Sequence, residues 1–281
     1  MYEKIGFIGG GSMGEAMMGS LLRSNVFNPS DVFVRDIDEK RMDFLKSRYG
    51  VKTVASVNEL FSASQIIVLA IKPQGFDGVL AEIAGGMDCK ISERKMIVSI
   101  AAGVSLKKIE GALYSDMDDA NRKRLPVMRV MPNTPALVSE GMSGICANSR
   151  ITEPDMAAGK RILEAMGDVI EFDEKDMDAV TAISGSGPAY LFYIVESMIK
   201  AGVDIGLKEE DAILLVTKTF KGALALMEKS GEKPEVLRKK VTSPGGTTEA
   251  AVKTLSLGRV EEKIIEAVRA AFMRSKELTS S

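Results

Sequence analysis

The sequence predicts an α/β domain with a doubly wound, mostly parallel sheet over residues 1–172, followed by an all-α domain over residues 173–281. Three observations carry this expectation. Short apolar runs alternate with helix-period segments up to Phe172, the pattern of βαβ units. From Asp173 onward only helix-period segments remain. The chain also opens on an apolar strand, Ile5-Gly6-Phe7-Ile8, that runs straight into Gly9-Gly10-Gly11-Ser12-Met13-Gly14. At 281 residues with 45% hydrophobic content there is material for two cores.

The opening stretch has the order a dinucleotide site needs: strand, G-x-G-x-x-G turn, helix. Gly9 makes the tight turn, Gly11 lets backbone approach a pyrophosphate, and Gly14 lets helix pack on strand, as in a Rossmann domain. Met13, Ala16, Met17 and Leu21 share one face of the following helix, whose N-terminal N–H groups, from Ser12 and Met13 onward, face the phosphates. Glycine-rich turns also serve plain packing, so the strand before and the helix after are what give the motif meaning.

Val32-Phe33-Val34 reads as the second strand and ends in Arg35-Asp36. Asp36 stands where a Rossmann acid accepts bonds from the adenosine ribose and repels a 2′-phosphate. Arg35, Lys40 and Arg41 would attract that phosphate, so NADH and NADPH both stay open, with Asp36 leaning toward NADH. The same residues also fit a solvated turn before an N-cap at Asp38. A helix follows to Tyr49, then a short strand at Val51–Val54 and a helix at Val57–Ala63.

Ile66 to Ile71 is a continuous apolar run, as expected of a central strand covered on both faces, and it stops at Lys72-Pro73. Ile97 to Ile100 repeats the pattern and ends in Ala101-Ala102-Gly103, small residues that let a ring or ribose lie against backbone. Ser115 to Arg124 reads as a solvated loop. Val127–Met131 is a strand entering Pro132-Asn133-Thr134-Pro135, either a rigid binding loop or an ordinary proline turn. Met142–Ala147 and Asp168–Phe172 are further strands around a helix at Glu153–Met166.

In the helical part, Ser184-Gly185-Ser186-Gly187-Pro188 precedes a long apolar helix, with Ser186 as expected N-cap and Pro188 in the first turn. Thr242-Ser243-Pro244-Gly245-Gly246-Thr247-Thr248 opens another. Its glycines and hydroxyls suit a carboxylate at a helix N-terminus, beyond what a helix start requires.

Composition removes whole classes of function. The net charge of −2 favours neither nucleic acid nor an anionic membrane as a partner. Zero histidines exclude Ser-His-Asp and Cys-His nucleophiles and the usual zinc sites, and no metal is expected. Cys89 and Cys146 have no metal or redox spacing and read as reduced core thiols. The start Met1-Tyr2-Glu3-Lys4 enters the first strand directly, which predicts no secretory leader and a cytoplasmic protein, and no apolar run spans a bilayer.

Together the motifs resemble pyrroline-5-carboxylate reductase. The matching stretches are GFIGGGSMG at Gly6–Gly14, AIKP at Ala70–Pro73, SIAAGV at Ser99–Val104, MPNTPA at Met131–Ala136, SGSGPAY at Ser184–Tyr190 and VTSPGGTT at Val241–Thr248. They occur in the family's order and span nearly the whole chain. The resemblance implies reduction of pyrroline-5-carboxylate to proline with NADPH or NADH. It implies a homodimer through the helical domain, with the active site at the subunit interface and rings of dimers in some members. It implies that Gly9, Gly11, Ser12, Met13 and Gly14 hold the pyrophosphate; Arg35 and Asp36 come to the ribose from their place after the second strand. Ala70, Lys72, Pro73, Ala102, Gly103 and Asn133 would line the nicotinamide end. Ser243, Gly245, Gly246, Thr247 and Thr248 would grip the substrate carboxylate, with Thr248 at the ring nitrogen and Ser243 beside it as catalytic hydroxyls. Asp36 departs from the small, polar or basic residues usual at its position, and Lys240 from the usual Asn or Gln. Two other readings compete. One is a two-domain reductase of β-hydroxy or 2-keto acids using Lys200, Lys218 or Lys221; the other is a non-catalytic nucleotide-binding protein.

Overall fold

The computed structural model describes residues 2–86 and 91–280; Cys89 lies outside them. In chain order the first part comprises β1 (Ile5–Ile8), α1 (Ser12–Arg23), β2 (Val32–Arg35), α2 (Glu39–Tyr49), β3 (Lys52–Thr53), α3 (Val57–Ala63), β4 (Ile66–Leu69), α4 (Phe76–Gly86), β5 (Met96–Ser99), α5 (Leu106–Leu113), α6 (Asp119–Lys123), β6 (Val127–Met131), β7 (Gly141–Ala147), α7 (Glu153–Glu164) and β8 (Gly167–Glu171). The strands form one eight-stranded sheet in the order β3-β2-β1-β4-β5-β6-β7-β8. All neighbours run parallel except β6 and β7, which are antiparallel. The expected doubly wound sheet is therefore present.

Period-two alternation explains why the strands are apolar throughout. Ile5, Phe7, Ile66, Val68, Met96 and Val98 enter one core, shared with Met17, Met18 and Leu21 of α1. Ile8, Ile67, Leu69 and Ile97 enter the other, with Leu60, Phe76, Leu80 and Ile109 from α3, α4 and α5. A strand covered on both faces has no polar side to show. Val51 and Val54 are buried on either side of β3, which is only the two residues between them.

The segment Ser115–Arg124 is largely exposed, as expected of a solvated stretch, but it holds a short helix where a loop is expected. Asp118 caps α6 by accepting from the Asn121 N–H at 2.8 Å, and Met117 is buried. Arg122 and Arg124 donate to the carbonyls of Tyr114 and Ile91 at 3.0 and 2.7 Å. Carbonyls at loop ends need donors, and the charges supply them.

The remaining elements are helical: α8 (Met177–Val180), a π turn at Thr181–Gly185, α9 (Gly187–Asp204), α10 (Glu209–Ser230), α11 (Pro234–Lys240), α12 (Thr247–Leu257) and α13 (Val260–Ser280). Compact units divide as Met1–Ser186 with Ala271–Ser281, and Gly187–Ala270. The division falls later than residue 173 because the chain beyond β8 is tied back to the sheet. Buried Arg129 of β6 donates to Glu174 at 3.3 Å and lies 3.9 Å from Asp178. Asp178 in turn accepts from Ser275 and Thr279 of α13, at 2.7 and 2.9 Å, which returns the end of the chain to the same unit.

Ser186 does not cap a new helix. It sits in the right-handed helical region (φ −86°, ψ −18°), and its N–H donates to the Thr181 carbonyl at 2.9 Å, closing the π turn. The wider turn absorbs Pro188, which has no N–H to continue the regular ladder. Within the second unit, Gly202 lets α9 meet α10 closely: a Cβ there would stand 3.0 Å from that of Ala212. No helix among the described residues is long and apolar enough to cross a membrane.

One buried carboxylate ties the first unit together at the amino ends of its strands. Asp155 of α7 accepts from the Thr152 N–H at 2.8 Å, the Thr152 hydroxyl at 2.6 Å and the Tyr2 hydroxyl at 2.6 Å, and pairs with the Arg94 guanidinium. Burial opposes its charge, but the bonds from Arg94, Thr152 and Tyr2 outweigh burial and hold the carboxyl well below the usual range. A depressed carboxylate stabilises the fold above its unfolded pKa of about 4, and loses that contribution as pH falls below it. Asp155→Asn is expected to cost about 2–3 kcal/mol at pH 7 and to flatten the loss of stability below about pH 4. Melting temperatures of both proteins from pH 7 to pH 3 check this; parallel curves would contradict it.

Candidate active site

The glycine turn after β1 is built by close approach. Gly9 has φ +99°, and a Cβ there would stand 2.5 Å from the Ala70 carbonyl oxygen. A Cβ on Gly14 would stand 2.5 Å from the Gly9 carbonyl oxygen. Gly11 differs: it is extended and exposed, with nothing within 4 Å of where its Cβ would be. The turn is thus tight toward the protein and open outward, beside the N–H groups of Ser12, Met13 and Gly14 that helix geometry leaves without an acceptor. That is a fitting cradle for a pyrophosphate.

Asp36 follows β2. Its Oδ2 accepts from the Gly10 N–H at 2.6 Å and its Oδ1 from the Asp38 N–H at 3.0 Å. Each oxygen keeps a lone pair free for a ribose hydroxyl. Ile37 beside it is 95% exposed, an apolar surface suited to an adenine ring that sequence reading passed over. Arg35 lies against the Met42 sulfur at 3.7 Å, whereas Asp38 is the N-cap of α2, as expected. Arg41 donates from Nε to the Gly10 carbonyl at 2.6 Å and pairs with Glu15 of α1. That pair was invisible in sequence, because nothing in the spacing of positions 15 and 41 announces it.

The sheet order places the ends of β1, β4 and β5 side by side, with Ile8 opposite Leu69 and Leu69 opposite Ser99. Ala70, Lys72 and Pro73 follow β4, and Lys72 and Pro73 are exposed. Ala102 and Gly103 follow β5. Gly103 has φ +73°, and a Cβ there would stand 2.7 Å from Leu278 Cβ, so the end of α13 packs against this loop. Asn133, after β6, has both ends of its amide engaged: Oδ1 accepts from the Met142 N–H at 2.9 Å and Nδ2 donates to the Ser184 hydroxyl at 3.2 Å. It holds the β6–β7 loop to the SGSGPAY segment. Cys146 is buried, and burial followed by the Glu174 charge pushes its thiol up to about 12, which leaves it inert.

In the second unit, Ser243 to Thr248 forms the turn that opens α12. Gly245 has φ +72°, and its N–H donates to the Glu249 carboxylate at 2.8 Å. The Gly246 N–H donates to the Ser243 carbonyl at 3.0 Å, and Gly246 is the extended N-cap residue. The two glycines therefore shape the turn while their own N–H groups are used within it. The donors that helix geometry leaves open are those of Thr247, Thr248 and Glu249. Glu249, one residue past the motif, was not singled out from sequence, although its carboxylate in a first helical turn is a familiar placement. Lys240 pairs with Glu232 at 2.6 Å, and Lys200 with Glu196 one turn earlier at 2.6 Å. Lys218 and Lys221 are exposed on α10. No group of acidic or sulfur side chains among the described residues could hold a metal ion.

A family model for pyrroline-5-carboxylate reductase dimerisation matches residues 174–278. A second, described as NADP oxidoreductase, coenzyme F420-dependent, matches residues 4–103. A pyrroline-5-carboxylate reductase of Synechocystis is 40% identical over 278 residues, covering 99% of both chains. Among solved structures, Plasmodium falciparum pyrroline carboxylate reductase with NADP bound superposes at a TM-score of 0.86, with 32% identity and 98% of each chain covered. A pyrroline-5-carboxylate reductase from Coxiella burnetii gives 0.86, 34% and 99% of each chain.

The geometry at Gly9 yields a direct expectation. Gly9→Ala places a methyl group against backbone at a positive φ, so neither side can give way cheaply. Affinity for ADP-ribose should fall at least about tenfold, measured by calorimetry on protein whose folding is checked by circular dichroism. Unchanged affinity would remove the turn from the nucleotide site.

Proposed function

The chain belongs to the pyrroline-5-carboxylate reductase family, and from that premise we propose that it reduces L-1-pyrroline-5-carboxylate to L-proline at the expense of NAD(P)H. The observation that carries this reading is identity of 40% to a curated reductase along 99% of the chain, with both motif-bearing loops in place. Bound NAD(P)H supplies the hydride. Everything else falls to the chain's own residues.

A chain without histidine suits this chemistry. The C=N nitrogen is basic enough to take a proton from a weak donor near neutrality, and the resulting iminium accepts hydride readily. What the protein must add is placement and a polar environment. In the proposal, Gly9 to Gly14 hold the pyrophosphate, Asp36 holds the adenosine ribose, and Ala70, Lys72, Pro73, Ala102 and Gly103 flank the nicotinamide. Asn133 supports that wall through its bonds to Met142 and Ser184. The N–H groups of Thr247 and Thr248 receive the substrate carboxylate, with Ser243 in the same turn, and the Thr248 hydroxyl receives the ring nitrogen.

The same reading assigns a homodimer assembled through the helical domain, residues 173–281, on which rings of dimers can be built, in the cytoplasm. Phe192, Tyr193, Leu214, Leu215, Leu226 and Leu257 of the second unit are all more than half exposed, an apolar area beyond what a solvated helical surface carries.

Purified protein should oxidise NADH or NADPH only when pyrroline-5-carboxylate is supplied, followed at 340 nm. Turnover of a 2-keto or β-hydroxy acid in its place would overturn the assignment. Thr248→Ala keeps the helix start and removes one hydroxyl. If that bond strengthens as the nitrogen changes charge, turnover should drop about tenfold to a hundredfold, or about 1.4–3 kcal/mol, with the melting temperature unchanged. A variant with normal turnover and lowered melting temperature would make Thr248 a helix-start residue only.

A further inference from the structure

Gly10 is gripped at both of its backbone groups. Its N–H donates to Asp36 Oδ2 at 2.6 Å, and its carbonyl accepts from Arg41 Nε at 2.6 Å. A second edge of the Arg41 guanidinium is engaged as well: Nη2 pairs with Glu15 Oε2, and the group lies 5.1 Å from the centre of the Phe44 ring. Glu15 is fixed from its other side, where Oε1 accepts from the Tyr49 hydroxyl at 2.9 Å and Arg48 Nε stands 3.9 Å away. Both members of the Arg41–Glu15 pair are three-quarters buried. Burial acts against the Glu15 charge, and the bonds from Arg41 and Tyr49 more than offset it, so the carboxyl stays ionised.

We propose that Glu15 is a cofactor-specificity residue: by occupying Arg41, it keeps that guanidinium from a 2′-phosphate and sets the site to the unphosphorylated ribose of NADH. The inference rests on the cofactor reading above and settles which of the two cofactors that site selects. Arg41 and Asp36 share Gly10, so the guanidinium lies one residue's backbone away from the carboxylate that meets the ribose. With Glu15 in place, the group formed by Asp36, Arg41 and Glu15 carries a net negative charge. A ribose hydroxyl donates to Asp36 at no electrostatic cost. A 2′-phosphate brings about two further negative charges toward that net charge, while the Nη2 edge of Arg41 is already paired with Glu15. Arg35 turns its Nη1 to the Met42 sulfur at 3.7 Å.

The test is direct binding without turnover. ADP-ribose and 2′-phospho-ADP-ribose are titrated calorimetrically into the wild type, Glu15→Gln, Glu15→Ala and the double variant Glu15→Gln/Arg41→Gln, with melting temperatures alongside. The wild type should favour ADP-ribose. Glu15→Gln should shift the ratio of the two affinities toward the phosphorylated ligand by about threefold to tenfold, and the double variant should lose that gain. Glu15→Ala gives the same shift in case the glutamine amide retains Arg41. An unchanged ratio in both folded single variants overturns the inference, as does a gain that survives loss of Arg41 or a wild type favouring the phosphorylated ligand. Failure of the wild type to bind either ligand overturns the cofactor reading itself.

Discussion

The first unit is organised by backbone lying against backbone between β1 and β4. Gly9 can reach the Ala70 carbonyl only because it lacks a Cβ, and Gly14 can follow only because Gly9 is that close. This double approach aims the start of α1 at the carboxyl ends of the central strands. It also leaves Gly11 as the open side of the turn. The Ala70 loop, the Gly103 loop and the end of β2 take their places around that fixed point through strand register. In a parallel sheet the crevice at this reversal of strand order is where ligands bind.

Charged side chains inside the unit serve as ties between segments far apart in sequence. Asp155 joins the chain start, the entry to β5 and α7. Arg129 and Asp178 bring the last two turns of α13 onto the same unit, where Leu278 closes over Gly103. Burying such charges carries a desolvation cost that a tightly paired geometry offsets only in part. Each tie holds the segments it joins in one arrangement, because removing one partner would leave an uncompensated buried charge. The segment linking β8 to α9 belongs to that arrangement, since its π turn carries Ser184 to Asn133.

The helical unit follows a different logic. Its glycine-rich turn uses the Gly245 and Gly246 N–H groups internally, one of them on the Glu249 carboxylate, and presents the donors of Thr247 and Thr248 instead. Large apolar side chains stand exposed along α9, α10 and α12, so the unit as a single copy leaves much of its hydrophobic surface unburied. For a chain that belongs to a dimer-forming family, that surface has a ready physical explanation. Removing apolar area from water is the main driving force of lasting association.

The sequence alone determined the strand–turn–helix start, the apolar strands, the change to pure helix near Asp173 and the two glycine-rich stretches at Ser184–Pro188 and Thr242–Thr248. These are local: period, glycine placement and capping residues act within one element or its neighbour. It also excluded histidine chemistry outright. Only the tertiary structure decided what depends on partners distant in the chain. Asn133 proved to be a tie between loops, Ser186 part of a continuous helical run, and the exposed Ser115–Arg124 segment to contain a capped helical turn. Glu15 and Arg41 met across 26 residues, and the unit boundary moved past Gly185 because Glu174 and Asp178 answer to a buried arginine on β6. A side chain's partner is set by how elements pack, and periodicity reports which face is buried without naming what lies against it.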